Sequence, residues 1–408
     1  MRKTIISGLI AILSACSPVG QTDNTANADG GSFDTNHRVT AYDGGIPSID
    51  TFIAQDTKVD EKDLCTHSHS PAEKITNKGI EIYCCKTDDW KDNTTYILAK
   101  EIAIPHYNNC MHMFGSDNQK LENVVLDCQG RTIKNTNKNN NTAGIAIIFA
   151  SNVEVRNCIV DDQMTGFSIS TSKKVNLNKN TTRNSTHSGL QTFATHDTKT
   201  KKFIHNGDLY LTDHKSFSDS TGINETGGSR VFIEGGKIED ATTGIATLPF
   251  HATMTIDGML FEKNSYTAVD YSHGNLKVTK AHFSHNKIGL LVKGDGKELE
   301  VSKSYFTNNL NGLFLWKSSG QYDGNTFGNN TYSIILDLGH SGKHDLTKPA
   351  HFNNNNFCGD SLHVADCDVS ELVTKGTAVT GIGNSYYSLG STCQPYIDFN
   401  KSVKCVTK

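Results

Sequence analysis

Three observations in the sequence predict an all-β chain, wound as a single-stranded right-handed parallel β-helix of about 9–11 coils. The phrase Phe-x-x-Asn recurs from Phe261, Phe283, Phe306 and Phe327, in steps of 22, 23 and 21 residues. In step with it, a glycine or small residue precedes an apolar one: Gly144-Ile145, Gly166-Phe167, Gly189-Leu190, Gly222-Ile223, Gly244-Ile245, Ala268-Val269, Gly289-Leu290, Gly312-Leu313 and Ser333-Ile334. After each glycine the apolar residues alternate, as in Ile145-x-Ile147 and Leu313-x-Leu315. That is the period of a strand and not of a helix.

Each coil reads as three short strands. The first follows the glycine. A turn leads to a second alternating strand, such as Val153-x-Val155 or Leu299-x-Val301. The Phe anchors a third, and its Asn turns the chain toward the next glycine. Leucine-rich repeats of similar length need a Leu and Asn spacing that is missing here, and propeller blades need about twice the length. Coils stack at roughly 4.8 Å, so like lies on like. Phe261, Phe283, Phe306 and Phe327 should form an inner aromatic ladder. Asn264, Asn286, Asn309 and Asn330 should form a ladder at a turn, where Asn tolerates left-handed backbone. A diverged copy at Phe357 comes 30 residues after Phe327, which places an insertion at Gly342–Pro349.

Solenoid ends expose strand edges and an open core, so they need caps. Residues 49–120 are expected to form an N-terminal cap with the first strands, 121–360 the repeats and 361–408 a C-terminal cap. Ten cysteines besides Cys16 sit toward the two ends: Cys65, Cys84, Cys85, Cys110, Cys128 and Cys158, then Cys358, Cys367, Cys393 and Cys405. Paired C-x-x-C spacing is absent, which favours disulfide staples over zinc. Cys128 and Cys158 occupy similar places in adjacent coils and could pair.

Residues 1–15 read as an export signal: Arg2 and Lys3, then an apolar run too short to span a bilayer. Leu13-Ser14-Ala15-Cys16 resembles the lipobox of bacterial lipoproteins, which implies cleavage before Cys16 and lipidation of it. Ser17, where an Asp would signal retention at the inner membrane, favours the outer membrane, on its periplasmic or cell-surface face. Residues 16–48 read as a flexible spacer, poor in large apolar residues. The membrane partner is then the lipid anchor alone.

The segments LENVVLDCQGRTIKN (121–135) and GIAIIFASNVEVRNCIV (144–160) resemble the first coils of the NosD-like and pectate-lyase-like β-helix superfamily of carbohydrate-binding proteins and sugar hydrolases. The resemblance spans roughly 100–360 and implies a polysaccharide or glycan partner. It does not choose among lyases, glycosidases, epimerases, tailspikes and non-catalytic adhesins or spikes. The formal net charge of −4 argues against nucleic acid.

Chemistry must lie on the outside of the coil. Counting from each glycine, the second and fourth residues point outward. The fourth column brings Lys293, Trp316 and Asp337 together, and the second contributes Gln191 and Asp270. His273 and Asp295 lie just beyond. An aromatic face stacks on a sugar ring while charged neighbours take its hydroxyls or carboxylates, so Trp316, Asp337, Asp295 and Gln191 are candidate substrate-binding residues. Asp270 and Asp337 are three coils apart, roughly 14 Å, too far for the two carboxylates of a glycosidase, at about 5–9.5 Å. The polygalacturonase motifs Asn-Thr-Asp, Gly-His-Gly and Arg-Ile-Lys are absent, as is the epimerase signature Asp-Pro-His-Asp/Glu. Any catalysis would be lyase-like. Lys293 would neutralise a uronate or act as base, His273 would be its partner, and Asp270 would hold either group or a Ca²⁺. No motif requires a cofactor. Tyr271, a natural acid, is expected to face inward. His187, His196, His205 and His214 fall nine apart, which fits neither coil nor helix and is treated as coincidence. The long coil around 196–206 should carry a loop over one face. Glu225 falls at an inward position, where either the strand ends early or an acid is buried.

Overall fold

The computed structural model describes residues 73–86, 89–104, 110–115, 120–136, 142–197, 200–248, 252–294, 298–316, 318–337, 350–358, 379–382 and 385–386. They wind as a right-handed parallel β-helix with three sheets. One coil illustrates all of them. Ile288–Lys293 belongs to sheet 1, Glu298–Ser302 to sheet 2 and Tyr305–Thr307 to sheet 3, before Asn311–Trp316 returns to sheet 1. Among the described residues the sheets hold 10, 15 and 12 strands respectively.

The glycine column stacks in one register from Ile145 to Ile334, through Phe167, Leu190, Ile223, Ile245, Val269, Leu290 and Leu313. Space explains why the preceding residue is small. A Cβ on Gly289 would lie 2.5 Å from the Gly312 carbonyl oxygen and 3.0 Å from the Phe306 ring.

The aromatic ladder forms inside sheet 3. Phe261, Phe283, Phe306, Phe327 and Phe357 stack with centroids 5.0, 4.6, 4.9 and 4.9 Å apart, and all are buried. The Asn ladder runs beside it, also buried. Asn309 Oδ1 accepts from both the backbone N–H and the Nδ2 of Asn286, at 2.9 and 3.0 Å. Asn309 Nδ2 donates to Phe283 O at 2.9 Å and to Asn330 Oδ1 at 3.0 Å. Each Asn thus satisfies backbone groups that a sharp turn would leave unpaired.

Coil strands begin before the repeat phrase does. Thr95–Leu98, Ile102–Ile104 and Met111–Phe114 pair in parallel with Val125–Asp127, Thr132–Asn135 and Ala143–Ile148. Gly79–Ile82 adds one more parallel strand, and Glu73–Thr76 folds back on it antiparallel. Disulfides Cys85–Cys110 and Cys128–Cys158 staple these first coils, and Cys84 is also disulfide-bonded. At the other end, Val379–Ile382 and Ser385–Tyr386 continue sheets 2 and 3. Cys16, the signal and spacer, Cys65, Cys367, Cys393, Cys405 and the Gly342–Pro349 insertion lie outside the described residues.

Candidate functional site

The outward face of sheet 1 brings most of the expected patch together. Register places Ser272, Lys293, Trp316 and Asp337 in one column across four strands. Lys293 reaches diagonally to the preceding strand, where its Nζ donates to Asp270 Oδ2 at 2.7 Å. Both side chains are partly shielded. Leu291 and Ile335, in the Asp270 column, are buried, and Phe314 between them is half-buried. The charged pair therefore borders an apolar strip, with half-buried Trp316 beside Lys293.

His273 sits at the corner where the strand ends, in left-handed backbone at φ 57°. Its N–H donates to Lys293 O at 3.4 Å. A Cβ on Gly294 would lie 2.9 Å from the His273 ring, so the glycine leaves room for the imidazole. Asp270, Lys293 and His273 are thus neighbours on two adjacent coils. Asp295 lies outside the described residues.

Gln191 is placed differently from its expected exposure. It points outward by period yet is only 3 % exposed. Outward residues of the adjoining coils, Ala146, Ile148, Ser168 and Ser170, are buried as well. The long coil contributes to this cover. Thr195–Asp197 and Lys202–Ile204 form an antiparallel hairpin, and Thr195 Oγ1 lies 2.9 Å from Ser170 Oγ.

Tyr271 faces inward, as its position requires. Its hydroxyl lies 2.6 Å from Ala252 O, and burial, with the charge of Glu225 as a lesser cause, pushes its pKa up. It is no proton donor to the outer face. Glu225 is the buried acid, because the strand Thr221–Thr226 does not end early. Its Oε1 accepts from Thr192 Oγ1, Gly227 N and Ser229 N at 2.9, 3.1 and 2.9 Å. The four histidines disperse: His214 is in the core and His196 on the exposed hairpin. Among the described residues no group of three or more His, Cys, Asp or Glu is placed to hold a metal.

Asp219 replaces an Asn in the turn ladder, a position that the repeat phrase alone does not single out. The signal is present as Ser216-Phe217-Ser218-Asp219, a polar version of Phe-x-x-Asn.

Residues 203–332 match the family described as right handed beta helix region. Among solved structures, the chain is similar to the A-module of a mannuronan C-5 epimerase from Azotobacter vinelandii. Identity is 14%, with a TM-score of 0.42, over 71% of this chain and 90% of that one. It is similar to the receptor-binding tailspike of bacteriophage Det7, at 9% identity and a TM-score of 0.39, over 75% and 74%. It is also similar to the catalytic domain of a GH87 α-1,3-glucanase, at 12% identity and a TM-score of 0.29, over 76% and 65%. No curated protein matches the chain.

Proposed function

We propose that the protein is a glycan-binding β-helix, lipid-anchored at Cys16 in the outer membrane, that holds polysaccharide on the outward face of sheet 1. The observation that carries this reading is Trp316 standing beside the Lys293–Asp270 pair at the edge of an apolar strip. A sugar presents an apolar face and a rim of hydroxyls, and the strip and the charged pair complement these in turn. Binding fits better than β-elimination. Lys293 is ion-paired with Asp270 at 2.7 Å, which suits it to hold a charged or hydroxyl group of a glycan rather than to take a proton from one.

Titration of the protein with alginate, polygalacturonate and neutral glucans, followed by isothermal calorimetry, tests the reading. Trp316→Ala should weaken binding about tenfold, or about 1.4 kcal/mol. Lys293→Ala should weaken anionic glycans more than neutral ones. Absence of binding across the panel sinks the proposal, and ultraviolet absorbance from unsaturated uronates would convert it to a lyase. The anchor has its own test. Palmitate labelling in a bacterial host should mark the wild-type chain and be lost in Cys16→Ser.

A further inference from the structure

A second feature lies at the corner between sheets 3 and 1, where the repeat departs from its own pattern. From Phe261 to Phe327, each buried Phe of sheet 3 is followed by a ladder Asn. In the four preceding coils the same two columns read Val160 and Gln163, Thr182 and Ser185, Ser216 and Asp219, Ile238 and Ala241. Thr182 and Ser216 are wholly buried where later coils carry phenyl rings. Both donate their hydroxyls to Asp219 Oδ2, at 2.7 and 2.6 Å, and Asp219 Oδ1 accepts the Ser185 N–H at 2.7 Å. Burial pushes the Asp219 carboxyl up, against hydrogen bonds that pull it down. Ser185 is 2 % exposed, and its Oγ lies near the Asp219 carboxylate without forming a well-aligned hydrogen bond. Two adjacent coils thus exchange apolar packing for a buried polar cluster, a local conflict with stability of the kind found at functional sites.

Above this cluster is an open groove of about 690 Å³ with Asp219 and Ser185 in its wall. It crosses the four coils, about 14 Å along the axis, which suits a short run of sugars better than one ring. Asp162, Asn184, Asp240 and Thr242 line it, and no Lys or Arg does. Asp162 is shared with Lys134 at 3.2 Å, while Asp240 acts on Lys263 of the next coil through its charge and forms no direct ion pair among the described residues. Asn184 spends its Nδ2 on Asp161, which leaves its carbonyl oxygen as an acceptor. One coil beyond the groove, Tyr266 donates its N–H to Thr242 O at 2.9 Å and is 42 % exposed. Lys287 Nζ, one coil further on, lies 5.6 Å from the Tyr266 ring centroid.

We propose that this corner groove is a second glycan subsite, for a neutral or amino-sugar chain that donates hydroxyls or amines to Asp240 and Asn184 and stacks a ring on Tyr266. Uronates are disfavoured, because carboxylates line the groove and like charges repel. The site uses none of the Trp316 patch, so either can fail without the other.

Calorimetric titration of the whole protein tests it, with glucan, mannan and chitosan tetrasaccharides as probes and tetragalacturonate as the anionic control. Tyr266, Asp240 and Thr242 are exposed, so their variants should fold. At least one neutral or amino probe should bind. Measured in a Trp316→Ala background, so that the sheet 1 patch does not contribute, Tyr266→Ala and Thr242→Arg should each weaken it at least tenfold. Asp240→Asn should weaken chitosan more than the neutral probes, which separates the two ligand sources. The proposal is overturned if none of the three binds, if binding ignores both Tyr266→Ala and Thr242→Arg, or if tetragalacturonate binds equally well and is displaced by Thr242→Arg.

Discussion

Phe306→Ala should cost about 3–5 kcal/mol, the range for truncating a buried aromatic. Phe306 is fully buried between Phe283 and Phe327, at centroid distances of 4.6 and 4.9 Å. Its removal leaves a cavity in one coil and deprives two neighbours of a stacking partner, each pair contributing about 0.5–1.5 kcal/mol beyond burial. Backbone hydrogen bonds above and below hold the coil spacing, so the walls cannot collapse to fill the gap. Phe306→Leu keeps most of the volume and should cost less than Ala, with the stacking loss remaining. Urea unfolding followed by far-ultraviolet circular dichroism measures both. A cost below about 1 kcal/mol for the alanine variant would show that the ladder does not stabilise the solenoid. In a repeat stack, the coils around 306 should also open locally before the rest, which amide exchange would reveal as lost protection there.

The sequence announces whatever the fold repeats. Register follows from the glycine column because one atom too many at Gly289 collides with the next coil. The Phe and Asn columns are legible for the same reason, since stacking makes each coil a constraint on its neighbour. The strands Gly79–Ile82, Thr95–Leu98, Ile102–Ile104 and Met111–Phe114 join the stack without the phrase, so periodicity could not assign them to it. Period two gives the direction of Gln191 but not what covers it; the buried outer face around Ser168 and Ser170 arises from contacts between distant segments. The Lys293–Asp270 contact is legible because adjacent coils and a two-residue offset put a long side chain within reach. Asp219 is hidden because it looks like a poor copy of the repeat. In a solenoid, poor copies are where chemistry is free to appear, since every good copy is committed to packing.

Acidification should destabilise the protein through His214, and His214→Asn should remove much of that loss. His214 is wholly buried, neither ring nitrogen has a hydrogen-bond partner, and Phe167 packs edge-on at 6.0 Å. Burial holds its imidazole at about 4, against an ordinary 6.5. The folded state therefore binds fewer protons than the unfolded state between those values. Stability from this residue is complete above pH 6.5 and is lost as pH falls toward 4, at about 1.4 kcal/mol per pH unit, reaching about 3 kcal/mol. Burial lowers His112 and His187 as well, which adds loss of the same sign. The replacement is dictated by the column. One coil earlier, Asn180 accepts the Cys158 N–H at 2.9 Å and donates to Val155 O at 2.8 Å. Register places position 214 on Asn180 and Leu177 on Val155. An Asn at 214 should then accept the Asn180 N–H and donate to Leu177 O, and it carries no titrating group. Urea midpoints measured from pH 7.5 to 4.5 should fall steeply for the wild-type chain and more gently for His214→Asn. Parallel curves for the two proteins would mean that His214 is protonated in the folded state at little cost, and that the acid loss originates elsewhere.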